Sequence, residues 1–241
     1  MEVKYKLYGA ILGDLCGQPS EFPVMKGPYT DVKIHNQVSH FTDDTIMTLA
    51  TAYAILNNIS FENSYKEFGI KYDGDYYGKG FKNWLNTPLG ARGYSYGNGC
   101  LMRLSPIMYV YKGEERIEKA LESCSCSHFN IDSLKSVMKL VELYENISGE
   151  VLPINKVEKF RRFEVRADKT LEFISLLYKS VNSTSQAIIK AVECGGDTDT
   201  NASIAGELCN YKYNDISEED ARYVESKLDP FLLNILKQFN K

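Results

Sequence analysis

Two short segments carry oxygen donors at spacings that could do chemistry: Thr42-Asp43-Asp44-Thr45 and, far downstream, Asp197-Thr198-Asp199-Thr200. Ile46, Leu49, Ala50, Tyr53 and Ala54 follow the first at helical spacing, so its carboxylates fall on a first helical turn. There Thr42 can cap backbone N–H groups, and the positive end of the helix favours negative side chains. Taken alone, such a segment reads as an ordinary helix start. The second segment follows Gly195-Gly196, which breaks a helical pattern through Ala187, Ile188, Ala191 and Val192; a new pattern begins at about Asn201. In a glycine-freed loop feeding a helix, Asp197 and Asp199 can converge, with Thr200 adding an oxygen. If the two helix starts meet, four carboxylates share one small volume. Each like-charge pair about 4 Å apart then costs on the order of 4 kcal/mol at an effective dielectric of about 20. Such a cluster takes up protons or binds cations. Its ligands are all oxygens, which selects Mg²⁺ or Mn²⁺ over zinc.

The elements around these segments read as helices. Leu7, Tyr8, Ile11, Leu12 and Leu15 mark a helix over residues 5–16, with Gly9 and Gly13 on one side permitting close approach by a second helix. Cys16-Gly17-Gln18-Pro19 ends it and Glu21 follows, read on its own as a solvated surface residue. The polar stretch Met25 to His40 reads as a loop suited to a lid. Trp84, at helical spacing from Phe81, belongs to packing. From Gly90 to Gly99 four glycines with Ser95 and Asn98 form a loop before a helix, able to offer free backbone N–H groups to an anion. It does not end in the Gly-Lys-Ser/Thr of a P-loop. Helical stripes run through Ile131–Tyr144 and Leu171–Val181. Between them Gly149 to Asp168 reads as loop, its Arg161 and Arg162 as a solvated face. Ser217 with Asp220 forms a capping box, and Asp229-Pro230 opens a last helix through Leu232, Ile235, Leu236 and Phe239. No segment alternates as a strand, so the chain is expected to be all-α, one compact domain over 1–241.

A net charge of −4, from 28 Lys+Arg against 32 Asp+Glu, with no basic run, argues against a nucleic-acid groove or a polybasic membrane patch. No apolar run of 18 residues and no signal-peptide core is present, and the six cysteines are scattered as free thiols, so a cytoplasmic protein is expected. Cys124, Cys126 and His128 alternate but lack a fourth ligand and Cys-x-x-Cys spacing, which sets aside a soft-metal site.

The two acidic segments, together with Gly195-Gly196, resemble the ADP-ribosylglycohydrolase family, which includes the dinitrogenase reductase-activating glycohydrolases. Three further segments agree in order: Gly9 to Asp14 continuing to Gly17-Gln18-Pro19-Ser20-Glu21, Ser95-Tyr96-Gly97-Asn98-Gly99 continuing to Met102-Arg103, and Ser127-His128. The match runs from about residue 7 to about residue 209. The resemblance implies an all-α fold with a two-metal site between helix N-termini, in which Thr42, Asp43, Asp44, Asp197, Asp199 and Thr200 surround two Mg²⁺ ions. It makes Glu21 a switchable ligand, with Glu21, Asp43 and Asp44 as the catalytic carboxylates. Ser95, Tyr96, Gly97, Asn98, Gly99 and His128 would hold ADP-ribose. An N-glycosidic bond breaks through an oxocarbenium-like transition state, which needs a held ribose, a placed water and nearby negative charge. The expected substrate is mono-ADP-ribosyl-arginine on protein, whose guanidinium suits an acidic site; serine-linked or nucleobase-linked ADP-ribose is the alternative. Two other classes stand beside this reading, a metal-dependent hydrolase of phosphoesters or nucleotides and a non-catalytic ADP-ribose binder. The filled ligand positions weigh against the binder. The run Cys124-Ser-Cys-Ser-His128 departs from the family's pattern and bears on the leaving-group wall.

Overall fold

The computed structural model describes residues 3–21, 29–74, 76–146, 157 and 163–241. Among them are α1 (Tyr8–Gly17), α2 (Asp43–Asn57), α3 (Phe61–Lys71), α4 (Lys79–Leu85), α5 (Gly99–Met102), α6 (Ser105–Val110) and α7 (Gly113–Ser125). The chain continues through α8 (Ile131–Glu145), α9 (Ala167–Tyr178), α10 (Thr184–Cys194), α11 (Thr198–Tyr213), α12 (Glu218–Lys227) and α13 (Pro230–Phe239). The fold is all-α, as expected. Extended pairing among the described residues is limited to two isolated antiparallel bridges, Tyr94 with His128 and Gly97 with Arg166.

Two helices form the centre. Every residue of α1 is buried, as is α11 from Thr198 to Asn210. They run antiparallel in contact because small residues four apart share one face. Gly9 meets Gly206, Gly13 meets Ala202 and Gly17 meets Thr198. A Cβ at Gly13 would lie 2.1 Å from the Ala202 carbonyl oxygen, so a side chain there forces the backbones apart. At the far end of the pair the buried Glu207 of α11 accepts hydrogen bonds from Leu7 N–H (3.0 Å) and Ala10 N–H (2.8 Å), satisfying orphan donors at the start of α1. At the near end, α1 runs out beside the start of α11. That geometry delivers Glu21 to Asp197 and Asp199.

The start of α11 lies three residues earlier than the periodicity suggested. Gly195 (φ 77°) and Gly196 (φ 80°) end α10 in backbone conformations that L side chains rarely adopt, and Asp197 becomes the residue before the first helical turn. The helix at the N-terminus likewise begins at Tyr8 rather than residue 5. Helices α3 and α7 gave no signal that the sequence reading used. The capping box Ser217/Asp220 and the Asp229-Pro230 helix start are present as read. Trp84 is buried, its indole N–H bonded to Ala91 O (2.9 Å) and Lys66 Nζ 4.8 Å over its ring.

The lid expectation does not hold for the residues that can be judged. Residues 29–40 form no helix, but they are fastened to α12. His35 Nε2 lies 2.8 Å from Asp220, Asn36 N–H donates to the Tyr223 hydroxyl, and Lys227 donates to Gln37 O and Ser39 O. Met25 to Pro28, and Gly149 to Arg162 apart from Val157, including Arg161 and Arg162, lie outside the described residues.

Candidate active site

The helix starts of α2 and α11 and the end of α1 converge on one acidic floor. Asp14, Asp44 and Asp199 offer carboxylate oxygens within 4.8 Å of one another, as do Glu21, Asp197 and Asp199, so Asp199 is shared by both groups. Asp14, from the middle of α1, receives Thr42 N–H (2.9 Å), the Thr42 hydroxyl (2.9 Å), Thr45 N–H (3.1 Å) and the Thr45 hydroxyl, and so caps α2 from a neighbouring helix. Thr200 Oγ1 donates to Asp44 Oδ2 (3.0 Å) and Thr200 N–H to Asp199 Oδ1 (2.9 Å). Asp43 belongs to neither close group. It is the one partly exposed member of the floor and lines the cavity above it.

That cavity holds about 390 Å³, within the range of small-ligand sites. Glu21, Asp43, Asp197, Asp199 and Thr200 line one side; Ser95, Gly97, Asn98, Gly99, Arg103 and His128 line the other. The second side is a stitched segment. Gly93 N–H bonds to Cys126 O (2.9 Å), Ser95 N–H to Ser127 O (3.1 Å), Gly97 N–H to its neighbour Ser95 Oγ (3.1 Å) and Asn98 N–H to Val165 O (2.8 Å). Gly93 is required here, since a Cβ would stand 2.6 Å from Ser127 O. Asn98 Nδ2 reaches across to Asp197 Oδ2 (2.7 Å) and so ties wall to floor.

A family profile described as ADP-ribosylglycohydrolase matches residues 3–145, more than half of the chain and inclusive of α1, α2 and the glycine loop. The chain belongs to the ADP-ribosylglycohydrolase family. As a member it is a glycosyl hydrolase that acts on ADP-ribosyl groups. A solved structure described as an ADP-ribosylglycohydrolase-related protein complex is similar over 100% of this chain and 99% of its own, at 18% identity and a TM-score of 0.74. At that identity the likeness is one of fold. No curated protein matches the sequence.

For an ADP-ribosylglycohydrolase, the floor suits metal ions on physical grounds. Asp44 Oδ1 is buried and has no hydrogen-bond partner, a carboxylate oxygen aimed into a cluster of its own charge. Burial, then the charges of Asp199 and Asp14, hold the Asp44 carboxyl well above the ordinary range; burial and Asp197 do the same to Asp199. Glu21 is pushed up to about 9 by burial and by Asp199 beside it. Asp197 rises only to about 6, because the Asn98 amide donates to it against the cost of burial. A hard divalent cation would offset the like-charge repulsion that adds to burial in all four shifts, and the donor set is entirely oxygen. The fit is good.

Several expectations change at this point. Asp14, absent from the ligand set read from the sequence, is a member of the floor. Its signal was available as an Asp beside Gly13 in a helix otherwise apolar, but it reads as the polar face of an amphipathic helix until all of α1 is seen to be buried. Asp43 stands apart from the two carboxylate groups. Tyr96 is 53% exposed and does not line the cavity, because side chains alternate along the extended segment and Ser95 and Gly97 take the inward positions. The glycine loop is not a cradle of free N–H groups at Ser95, Gly97 and Asn98, all of which are already bonded. Arg103, which the sequence offered only within a motif, is buried in the wall. The cysteines are free thiols, as expected, and the metal-ligand groups among the described residues contain only carboxylates.

Proposed function

We propose that this chain is a divalent-metal-dependent hydrolase that releases ADP-ribose from mono-ADP-ribosyl-arginine on protein, with two Mg²⁺ ions, or Mn²⁺ in their place. The observation that carries the metal assignment is the pair of carboxylate groups joined at Asp199, with Asp44 Oδ1 left unpartnered. Asp14, Asp44 and Asp199 would hold one ion, and Glu21, Asp197 and Asp199 the other. Thr42 and Thr200 orient these carboxylates through their hydroxyls. When bound, such ions orient the ribose hydroxyls and acidify a water.

The residues of the chain account for the rest. Water adds across the bond between the ribose anomeric carbon and the guanidine nitrogen. The C–N bond breaks with its electron pair on nitrogen, a C–O bond forms, and the proton that Asp43 takes from the water passes to the departing guanidine, which leaves as a guanidinium. Asp43 is assigned this role because it lines the cavity and lies outside both ligand groups. Floor carboxylates stabilise the positive charge that develops on the ribose. An acidic floor also favours a cationic leaving group over a neutral serine ether or base, which selects arginine.

The residues involved run from Asp14 to Thr200, and we treat the chain as one domain over 1–241. Six free thiols suit a reducing compartment, so we assign the enzyme to the cytoplasm. Among the described residues no helix is long and apolar enough to cross a membrane. The test is a panel of arginine-, serine- and base-linked ADP-ribose conjugates assayed with and without chelator. Chelator-sensitive release from the arginine conjugate is expected. Cleavage confined to another linkage overturns the arginine assignment, and binding of ADP-ribose without cleavage of any conjugate favours a binder.

A further inference from the structure

Arg103 is 1% exposed, and among the described residues no carboxylate pairs with it. Its guanidinium, always charged, lies 4.1 Å over the Tyr65 ring, and its Nη2 donates to Ser123 O (2.7 Å) and to Ser127 Oγ (2.9 Å). Ser127 Oγ in turn lies 2.8 Å from His128 Nδ1. Ser127 and His128 are themselves buried.

The chemistry of this chain of contacts has one consistent proton arrangement. A guanidinium only donates, so Ser127 Oγ accepts from Arg103 and keeps its own proton to give. The acceptor within reach is His128 Nδ1. If Nδ1 carried the proton instead, Ser127 would receive two donors and its buried hydroxyl hydrogen would have no acceptor. His128 is held neutral by burial and by the nearby Arg103 charge, so its single ring proton then sits on Nε2. Nε2 faces the glycine loop: a Cβ at Gly99 would lie 3.6 Å from it and one at Gly97 3.8 Å. The loop N–H groups of Ser95, Gly97 and Asn98 are already bonded, so an acceptor entering beside them gains from a side-chain donor.

We propose that Arg103 is a positioning residue which, through Ser127, fixes His128, a residue the family resemblance already assigns to ADP-ribose, as an Nε2–H donor into the cavity toward the ligand's diphosphate. This rests on the ADP-ribosyl reading of the cavity. It assigns a function to the buried Arg103 of the wall and adds a side-chain donor beside the glycine loop.

The chain has three histidines, so ¹⁵N-histidine labelling with long-range proton–nitrogen correlation can report the tautomer directly. Wild-type protein is expected to show His128 protonated at Nε2 alone. Ser127→Ala and Arg103→Met should replace that single pattern with a mixture and weaken ADP binding about tenfold, with adenosine binding unchanged. Ser127→Thr and Arg103→Lys should recover part of both. An Nδ1–H tautomer or an imidazolium in the wild type overturns the proposal even if the variants fail to fold. Equal loss of ADP and adenosine by folded variants, or no loss, overturns the positioning role. Failure of wild-type protein to bind ADP overturns the cavity's assignment, and the spectrum distinguishes that from a wrong tautomer.

Discussion

The floor and the wall of the cavity are built on opposite terms. The wall, from Gly93 to Gly99 with Ser127 and His128, spends its polar groups on itself, with most backbone donors bonded to the chain. The floor gathers Asp14, Glu21, Asp44, Asp197 and Asp199 from three elements, buries them together and leaves Asp44 Oδ1 unpaired. A wall of that kind carries little internal repulsion before a ligand enters. A floor of this kind is strained until protons or cations enter it. The frame that allows the strain is the α1–α11 contact, where glycines let two backbones approach and the packing holds the helix ends in place.

The comparison breaks most severely at that frame. Gly13→Ala places a Cβ 2.1 Å from backbone, where no rotamer can relieve it. We expect a loss of at least about 3 kcal/mol in chemical denaturation, with floor and wall disrupted together. A variant as stable as wild type would show that the frame has slack.

Within the floor, activity and stability should part. Asp199→Asn removes the carboxylate common to both groups and is expected to lower turnover about 10²- to 10⁴-fold. In chelator the same variant should melt at a higher temperature than wild type, because a repelling charge is gone. Parallel loss of activity and metal-free stability would contradict a strained floor.

The pH dependence follows from the same cause. The folded values of Glu21 (about 9) and Asp197 (about 6) lie above the ordinary carboxylate range near 4, so between those limits the folded chain binds more protons than the unfolded one. Stability of the metal-free protein should therefore fall as pH rises from about 4 to about 9 and level off above. Denaturation curves across that range in chelator, repeated with Mg²⁺, check both the sign and its suppression by the ion. A metal-free stability that rises with pH would contradict the assignment.

The wall should give the smallest effect. Gly97→Ala meets Ser95 Oγ at 3.3 Å and makes only ordinary contacts at 3.8 Å with His128 Nε2 and Val165 O, so folding is expected to survive while ADP-ribose binding weakens several-fold in a titration. A large stability loss would mean that the wall, too, is under strain.

The same contrast explains what could be read from the sequence. Thr42-Asp43-Asp44 and Asp197–Thr200 were legible because helix starts have local signatures, and Gly9 and Gly13 because a small-residue face needs only helical spacing. Glu21, isolated in sequence, was placed by resemblance alone. Asp14 and Glu207 drew no assignment from the sequence because each caps a helix other than its own, a relation no local pattern carries. The loop's engaged N–H groups and the outward Tyr96 depend on residues 126–128 and 165–167, distant in sequence. Strand-like alternation over five residues is too short to announce itself.

The central claim is that the floor exists to hold divalent cations, and calorimetric titration of chelator-treated protein with Mg²⁺ or Mn²⁺ addresses it most directly. Uptake of about two ions per chain is predicted, falling in Asp199→Asn, with a rise in melting temperature on binding. Absence of uptake by the wild type, or undiminished uptake by Asp199→Asn, would contradict it.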